Sequence, residues 1–137
     1  MEGTGGDLAL ATLRGHGVRE MFTLSGGHVF PLYDAAVKQD VPIYDVRHEQ
    51  TAVFAAEAVA RLSRRPSLAV LTAGPGVTNG ISAVTTAKFN GSPVVVLAGR
   101  AAMWRWGAGS LQELDHLPLV APLTRSAETV FATEDIP

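Results

Sequence analysis

The sequence lacks cysteine and is poor in charge. None of its 137 residues is a cysteine, which excludes disulfides and thiolate metal sites. Charged residues make up 18% of the chain, below the roughly 25% typical of soluble domains. We therefore expect a partner to cover part of its surface. The length is sufficient for one domain with its own hydrophobic core.

Basic runs and long apolar runs are also missing. There are 11 Lys and Arg against 13 Asp and Glu, a net charge of -2, so binding to nucleic acid through phosphate contacts is not expected. Residues 1–7 have neither the basic region nor the apolar run of a signal peptide. The longest apolar run, residues 93–98, is far too short to span a bilayer. We expect a cytoplasmic protein with no membrane partner.

Short apolar runs alternate with longer segments of helical periodicity. The pattern predicts strands at residues 21–24, 42–46, 68–72 and 94–98, and helices at residues 8–13, 29–38, 49–63 and 77–89. Asp7 is the expected cap of the first helix. With short glycine turns between the elements, the pattern predicts an α/β fold: a single three-layer domain with a mostly parallel sheet and helices on both faces. Beyond residue 100 the pattern loosens, and we predict a helix over 112–123 and a last strand over 127–131.

Glycines and polar residues follow three of the predicted strands. They are Gly26 and Gly27 after the first strand, Glu49 after the second, and Thr72, Gly74, Pro75, Gly76 and Asn79 after the third. Ligands of open parallel sheets bind at the carboxyl ends of the strands. We therefore expect these residues to form the functional site.

The turn Gly74-Pro75-Gly76 is open to two interpretations. It follows a strand and opens a helix, as a dinucleotide-binding fingerprint requires. Asn79, however, stands at the third glycine position, and the next strand ends without the acidic residue that would hold a ribose hydroxyl. A Rossmann nucleotide binder is an alternative that NAD or NADP affinity would test. The amide of Asn79 either caps the turn or presents a donor and an acceptor to a ligand.

Glu49 stands where a strand ends and a helix begins. It is either a glutamate that complements the positive end of the helix dipole, or a carboxylate of the functional site. The neighbouring His48 has no second histidine or aspartate at metal-ligand spacing, and the other histidines are scattered. We therefore expect no metal ligands in this chain.

Two further polar segments have simple interpretations. Gln112 lies in a polar cluster with Glu113 and Asp115, which a solvated face would explain. The triplet Asn90-Gly91-Ser92 matches a glycosylation acceptor and is interpreted as a loop.

Three segments in order point to a known family: Arg-His-Glu-Gln-Thr-Ala at 47–52, Leu-Thr-Ala-Gly-Pro-Gly-Val-Thr-Asn-Gly at 71–80, and Ser-Pro-Val-Val-Val at 92–96. Together they resemble the N-terminal pyrimidine-binding domain of thiamine-diphosphate-dependent enzymes of the acetolactate synthase type. That superfamily also contains oxalyl-CoA decarboxylase, 2-hydroxyacyl-CoA lyase, benzoylformate decarboxylase and pyruvate oxidase. The resemblance assigns residues 1–137 to that one domain, and residues 105–116 look most like acetolactate synthase-like members.

The resemblance implies a role for each candidate residue. Glu49 matches the glutamate that hydrogen-bonds N1' of the aminopyrimidine and promotes the imino tautomer, whose 4'-nitrogen removes the thiazolium C2 proton. Gly26 and Gly27 match a loop that approaches the cofactor, and Gln112 matches a polar position on the substrate side. The residues that match the cofactor pocket after the third strand are Thr72, Gly74, Pro75, Gly76 and Asn79.

The family's second binding region has no counterpart in this sequence. In the family, magnesium and diphosphate are held by another domain through Gly-Asp-Gly and a later Asn, and nothing like this occurs here. The resemblance therefore implies half of a site, inactive alone, that needs a diphosphate-binding domain or subunit and forms a homodimer or higher oligomer. The implied activity is carbon–carbon bond formation or cleavage on a small 2-keto acid such as pyruvate. The alternatives are a component of a 2-hydroxyacyl-CoA lyase or oxalyl-CoA decarboxylase, and a non-catalytic binding module.

Overall fold

Helices and strands alternate along the chain in the computed structural model, which describes residues 3–136. The elements are α1 (Gly5–Gly15), β1 (Met21–Thr23), α2 (Phe30–Lys38), β2 (Ile43–Asp45), α3 (Glu49–Ser63), β3 (Ser67–Leu71), α4 (Pro75–Asn90), β4 (Val94–Ala98) and α5 (Leu117–Val120). Single 3₁₀ turns lie at Gly27–Val29, Met103–Arg105, Ala121–Leu123 and Thr133–Asp135. The four strands and the first four helices agree closely with the sequence prediction.

The four strands form one parallel sheet in the order β2-β1-β3-β4. The chain runs from β1 outward to β2, then crosses back over β1 to reach β3 on its other side. The strand order therefore reverses between β1 and β3, which creates a crevice outside their carboxyl ends. The predicted α/β class with a parallel sheet is confirmed.

Each face of the sheet has its own hydrophobic core, because successive strand residues point to opposite sides. On one face, Met21, Leu68 and Val70 pack with Leu10 of α1 and with Ala35 and Ala36 of α2. On the other face, Phe22, Ala69 and Leu71 pack with Ala52, Val53 and Ala56 of α3 and with Ala83 of α4. Strand β3 is buried along its whole length, which explains its continuous apolar sequence. The helices cover both faces, as predicted.

Asp7 does not cap α1, contrary to the prediction; Thr4 does. The Thr4 hydroxyl accepts a hydrogen bond from the Asp7 backbone N–H at 3.2 Å, and the Asp7 carboxylate accepts one from the Thr4 N–H at 2.9 Å. This reciprocal pair is a capping box. The backbone hydrogen bond from Thr4 is the main cause that lowers the pKa of Asp7.

The two predictions for the C-terminal segment are wrong. The helix expected over 112–123 is reduced to α5 and a 3₁₀ turn, and Gln112, where it was expected to begin, has a left-handed φ of 56° that no helix contains. Residues 127–131 form no strand, and Phe131 is 61% exposed. An apolar sequence forms a strand only where a neighbouring strand or core receives it. Within residues 3–136, none of the helices has the length and apolar character needed to cross a bilayer.

Candidate functional site

The loops after β1 and β3 meet at the point where the strand order reverses. A Cβ on Gly26 would overlap the buried side chain of Thr72, and one on Gly76 would lie 2.7 Å from Thr72 Cγ2. Only glycine permits both approaches, so Gly26, Thr72 and Gly76 are brought together as the sequence analysis expected. Gly27 is exposed, and a Cβ there would meet nothing within 4 Å; its role at the cofactor stays a prediction.

Gly74 has a backbone conformation that favours glycine, with φ 59° and ψ -116°. A Cβ at this position would also lie 2.7 Å from the carbonyl oxygen of Gln112. Pro75 then begins α4, where its fixed φ suits the first helical turn. The turn therefore brings backbone, rather than side chains, to the crevice.

Glu49 is the first residue of α3 and is only 8% exposed. The preceding His48 caps the helix, its Nδ1 accepting the Gln50 N–H at 3.2 Å. Asn79, in the second turn of α4, donates from Nδ2 to Glu49 Oε2 at 3.0 Å. Among residues 3–136 no hydrogen bond reaches the other oxygen, Oε1, which lies 3.8 Å from the position of a Cβ on Gly76.

This geometry places Glu49 in the crevice as well as at a helix terminus. Its carboxylate lies near the positive end of α3, and Asn79 holds one oxygen while the other faces the glycine turn. Pro75 and Asn79 are exposed around this buried carboxylate. A flat ring with a hydrogen-bonding nitrogen could therefore reach Oε1 from solvent.

Gln112 joins the site through Thr72. Thr72 Oγ1 lies 3.4 Å from Gln112 Oε1, to which it donates, and 3.1 Å from His28 Nδ1. The backbone of Gln112 packs on Gly74. The predicted substrate-side residue thus borders the same crevice as Glu49 and the glycine turn.

Two histidines of this site were missed by sequence reasoning. His28 and His116 contact residues that lie 44 and 42 positions away in the chain, separations that no local pattern reveals. His28 carried one usable signal, since it directly follows Gly26 and Gly27 at a strand end. His116 carried no such signal. Its Nε2 accepts the backbone N–H of Gly74 at 2.9 Å, and a backbone partner leaves no mark in the residue types of the sequence. Burial is the main cause that lowers the pKa of His116 below its ordinary value.

The acidic neighbours of Gln112 serve local structure. The Glu113 carboxylate accepts the Gly107 N–H at 2.6 Å and the Ser110 N–H at 2.9 Å, and the hydrogen bond from Ser110 is the main cause that lowers the Glu113 pKa. Asp115 accepts the Leu117 N–H at 3.3 Å. Within the described part of the chain, no three His, Asp or Glu side chains are grouped so that they could hold a metal ion.

Residues 3–119 match the family described as "Thiamine pyrophosphate enzyme, N-terminal TPP binding domain". The chain belongs to this thiamine pyrophosphate enzyme family. The resemblance drawn from the three sequence segments is confirmed, and membership implies thiamine diphosphate (thiamine pyrophosphate) as the cofactor.

Relatives of this chain include proteins named as acetolactate synthases and as 2-hydroxyacyl-CoA lyases. The chain is 52% identical over 130 residues to the acetolactate synthase large subunit IlvG of Mycobacterium tuberculosis, covering 95% of this chain and 24% of the relative. It is 48% identical over 132 residues to 2-hydroxyacyl-CoA lyase 2 of Xenopus laevis, covering 96% and 20%. It is 46% identical to 2-hydroxyacyl-CoA lyase 2 of Homo sapiens, and the match covers 96% of this chain and 21% of the relative. The chain therefore spans a quarter or less of the length of these relatives.

Proposed function

We propose that this chain binds the aminopyrimidine ring of thiamine diphosphate and serves as the pyrimidine half-site of an acetolactate synthase-like enzyme acting on 2-keto acids such as pyruvate. The observation that carries the proposal is the Glu49–Asn79 pair, in which a buried carboxylate is fixed through one oxygen and open at the other. Glu49 is the proposed catalytic residue, holding a proton between Oε1 and the ring nitrogen.

The residues around Glu49 fit such a ring. Gly74 and Gly76 present backbone without side chains, so a flat ring can lie against the turn. The exposed Pro75 and Asn79 border the same opening. Thiamine diphosphate supplies an electron sink for reactions at a carbon next to a carbonyl. This chain supplies the ring's position and the proton at Glu49, and Gln112 borders the substrate.

The proposal includes partners that the described residues do not contain. We propose that magnesium and the diphosphate are bound by a separate domain or subunit, and that the working enzyme is a homodimer or higher oligomer in the cytoplasm. The four-fold greater length of the acetolactate synthase relative supports a further domain. The small net charge of -2 and the absence of a basic run support a small-molecule substrate over nucleic acid.

The test is Glu49→Gln in the enzyme assembled from this chain and a diphosphate-binding domain or subunit. Turnover of pyruvate should fall by about 100-fold or more, because the amide cannot exchange a proton with the ring. The matched control is Glu57→Gln, a second buried glutamate two turns along α3 and outside the site; it should retain turnover. Near-normal turnover of Glu49→Gln, with unchanged thermal melting, would contradict the proposed role.

A second candidate activity is a 2-hydroxyacyl-CoA lyase. It is favoured by the 45–48% identity to 2-hydroxyacyl-CoA lyase 2 proteins over 96% of the chain. Offering the assembled enzyme pyruvate and a 2-hydroxyacyl-CoA in parallel separates the two activities. Turnover of neither, with thiamine diphosphate bound, would instead favour the non-catalytic module.

A further inference from the structure

We propose that His116 is a positioning residue that holds Gln112 against the glycine turn of α4, and so sets the substrate side of the site. The inference rests on the proposed function, in which Gln112 borders the substrate.

Two contacts, four residues apart, fasten the segment 112–116 to one glycine. The carbonyl of Gln112 occupies the space that a Cβ on Gly74 would fill. His116 Nε2 accepts the N–H of the same glycine at 2.9 Å. The Gly74 N–H precedes α4 and has no helical acceptor, so His116 satisfies a donor that the turn leaves open.

Gln112 needs such support because its own backbone is strained. Its φ of 56° lies in the left-handed region, which a non-glycine residue keeps only when its surroundings enforce it. On the N-terminal side, Glu113 closes the loop by accepting the Gly107 and Ser110 N–H groups. On the C-terminal side, His116 ties the segment to Gly74. Thr72 then donates to Gln112 Oε1, which leaves the amide NH₂ as the group available to an acceptor oxygen of a substrate.

The His116–Gly74 bond exists only while the imidazole is neutral, because a protonated Nε2 cannot accept a hydrogen bond. The charged groups that face the ring are Asp115 on its own segment and Arg100 after β4. Asp115 raises the pKa of His116, and burial and Arg100 lower it, with burial the largest effect. The turn of α4 contributes backbone alone. The bond is therefore formed at neutral pH and is broken by acidification.

The structural test compares His116→Leu, which removes the acceptor, with His116→Gln, whose amide oxygen can accept the Gly74 N–H at any pH. The measurement is the hydrogen-exchange protection of the Gly74 amide in this chain, followed by NMR from pH 8 to pH 5. Because the pKa of His116 is lowered, mainly by burial, we expect protection in the unmodified chain to fall only at a pH below the ordinary value for histidine. At neutral pH, protection of the Gly74 amide should be at least about 10-fold lower in His116→Leu than in the unmodified chain. It should not change with pH in either His116→Leu or His116→Gln. Unchanged protection in His116→Leu, or the original pH dependence in His116→Gln, would overturn the proposal.

The functional test uses the assembled enzyme with thiamine diphosphate bound. His116→Leu should raise the KM for the substrate about 10-fold, as expected for one misplaced hydrogen-bonding group, without changing cofactor affinity. His116→Gln should restore KM. If KM does not move although the Gly74 amide behaves as expected, positioning of Gln112 is refuted while the proposed function stands. If the Glu49→Gln enzyme has normal turnover, by contrast, the proposed function is refuted, whatever the hydrogen exchange of the Gly74 amide shows. Should His116→Leu fail to fold, the pH dependence in the unmodified chain and in His116→Gln decides the question.

Discussion

At Gly74 a conformational requirement and a packing requirement coincide. The residue has φ 59° and lies against the carbonyl of Gln112. Gly91, which follows the last residue of α4, has almost the same φ of 62° but open space around it. Their ψ angles differ, however: Gly91 has ψ 26°, in the left-handed region that L residues can adopt, whereas Gly74 has ψ -116°. A side chain at Gly74 therefore meets both a more strained backbone and a close contact, and a side chain at Gly91 meets neither.

Gly74→Ala should lower the free energy of unfolding by about 3 kcal/mol, because an alanine meets both an unfavourable φ and a backbone oxygen. Gly91→Ala, which meets only the left-handed helical conformation, should cost about 1 kcal/mol. Urea unfolding followed by circular dichroism measures both. Equal costs for the two variants would contradict both the more strained backbone and the Gln112 contact as causes of a greater cost at Gly74.

The residues of the site could be predicted where they follow strands and could not where the contact is distant. Glu49 and Asn79 were selected because each comes soon after a strand end, and the structure joins them by a hydrogen bond. Their pairing, 30 residues apart, depends on α3 and α4 lying side by side, which no local pattern contains. The same reason hid His116, whose acceptor role depends on how the C-terminal segment folds back onto Gly74.

Between helices α3 and α4, Glu57 forms a second polar connection in addition to the Glu49–Asn79 hydrogen bond. Glu57 is buried and accepts the Ser92 hydroxyl at 2.7 Å and the Asn90 Nδ2 at 3.0 Å. The bond from Ser92 is the main cause that lowers the pKa of Glu57. The connection fastens the middle of α3 to the end of α4, the two helices that carry Glu49 and Asn79.

Replacing Glu57 with alanine should destabilise the chain by about 1–2 kcal/mol, because it removes the shared acceptor of Asn90 and the half-buried Ser92. Ser92→Ala should cost about 1 kcal/mol. Ser82→Ala, an exposed serine on α4, is the control and should change stability by less than about 0.5 kcal/mol. The midpoint of urea unfolding gives all three values. A Ser92→Ala variant as stable as Ser82→Ala would exclude the connection as a source of stability.

The elements that could be predicted are those whose buried positions recur at a regular spacing along the sequence. Strand β3 and helix α3 are buried along a whole run or along one face, so apolar periodicity located both. The segment after residue 100 has no such repeat. Its shape depends on single contacts, such as Arg100 stacked 3.7 Å from the ring centroid of Trp106 and the strained Gln112. Apolar content alone therefore predicted a strand at 127–131 that no neighbour pairs with.

Across the whole molecule, the groups with shifted pKa values favour neutral pH. The pKa values of Asp7, Glu57, Glu113 and His116 are all lowered, and that of Lys38 is raised, mainly by its hydrogen bond to Asp34. Below pH 6.5, the ordinary pKa of histidine, the unfolded chain binds more protons than the folded one. The free energy of unfolding therefore decreases as the pH is lowered. Above the ordinary Lys value of 10.5, the unfolded chain releases its proton first, and stability falls again.

We therefore expect a plateau of unfolding free energy between these two pH values and a further decline below pH 4.5, the ordinary value of Glu57. Urea midpoints from pH 3 to pH 11 test this shape. In His116→Gln, the free energy of unfolding should no longer decline just below pH 6.5 but should still decline at lower pH. A chain that becomes more stable between pH 6 and pH 4 would contradict the assignment of these shifts.

The contact between Asn90 and Glu57 has a consequence for how the protein is produced. In a eukaryotic secretory host, an oligosaccharide added to Asn90 in the unfolded chain would replace one hydrogen on Nδ2 with a bulky sugar. In the folded chain Asn90 is exposed, and its Nδ2 donates to Glu57 Oε1 at 3.0 Å, so a glycosylated Nδ2 would keep a single hydrogen for that bond. Expression without N-glycosylation therefore preserves both hydrogens of Nδ2 and the bond to Glu57.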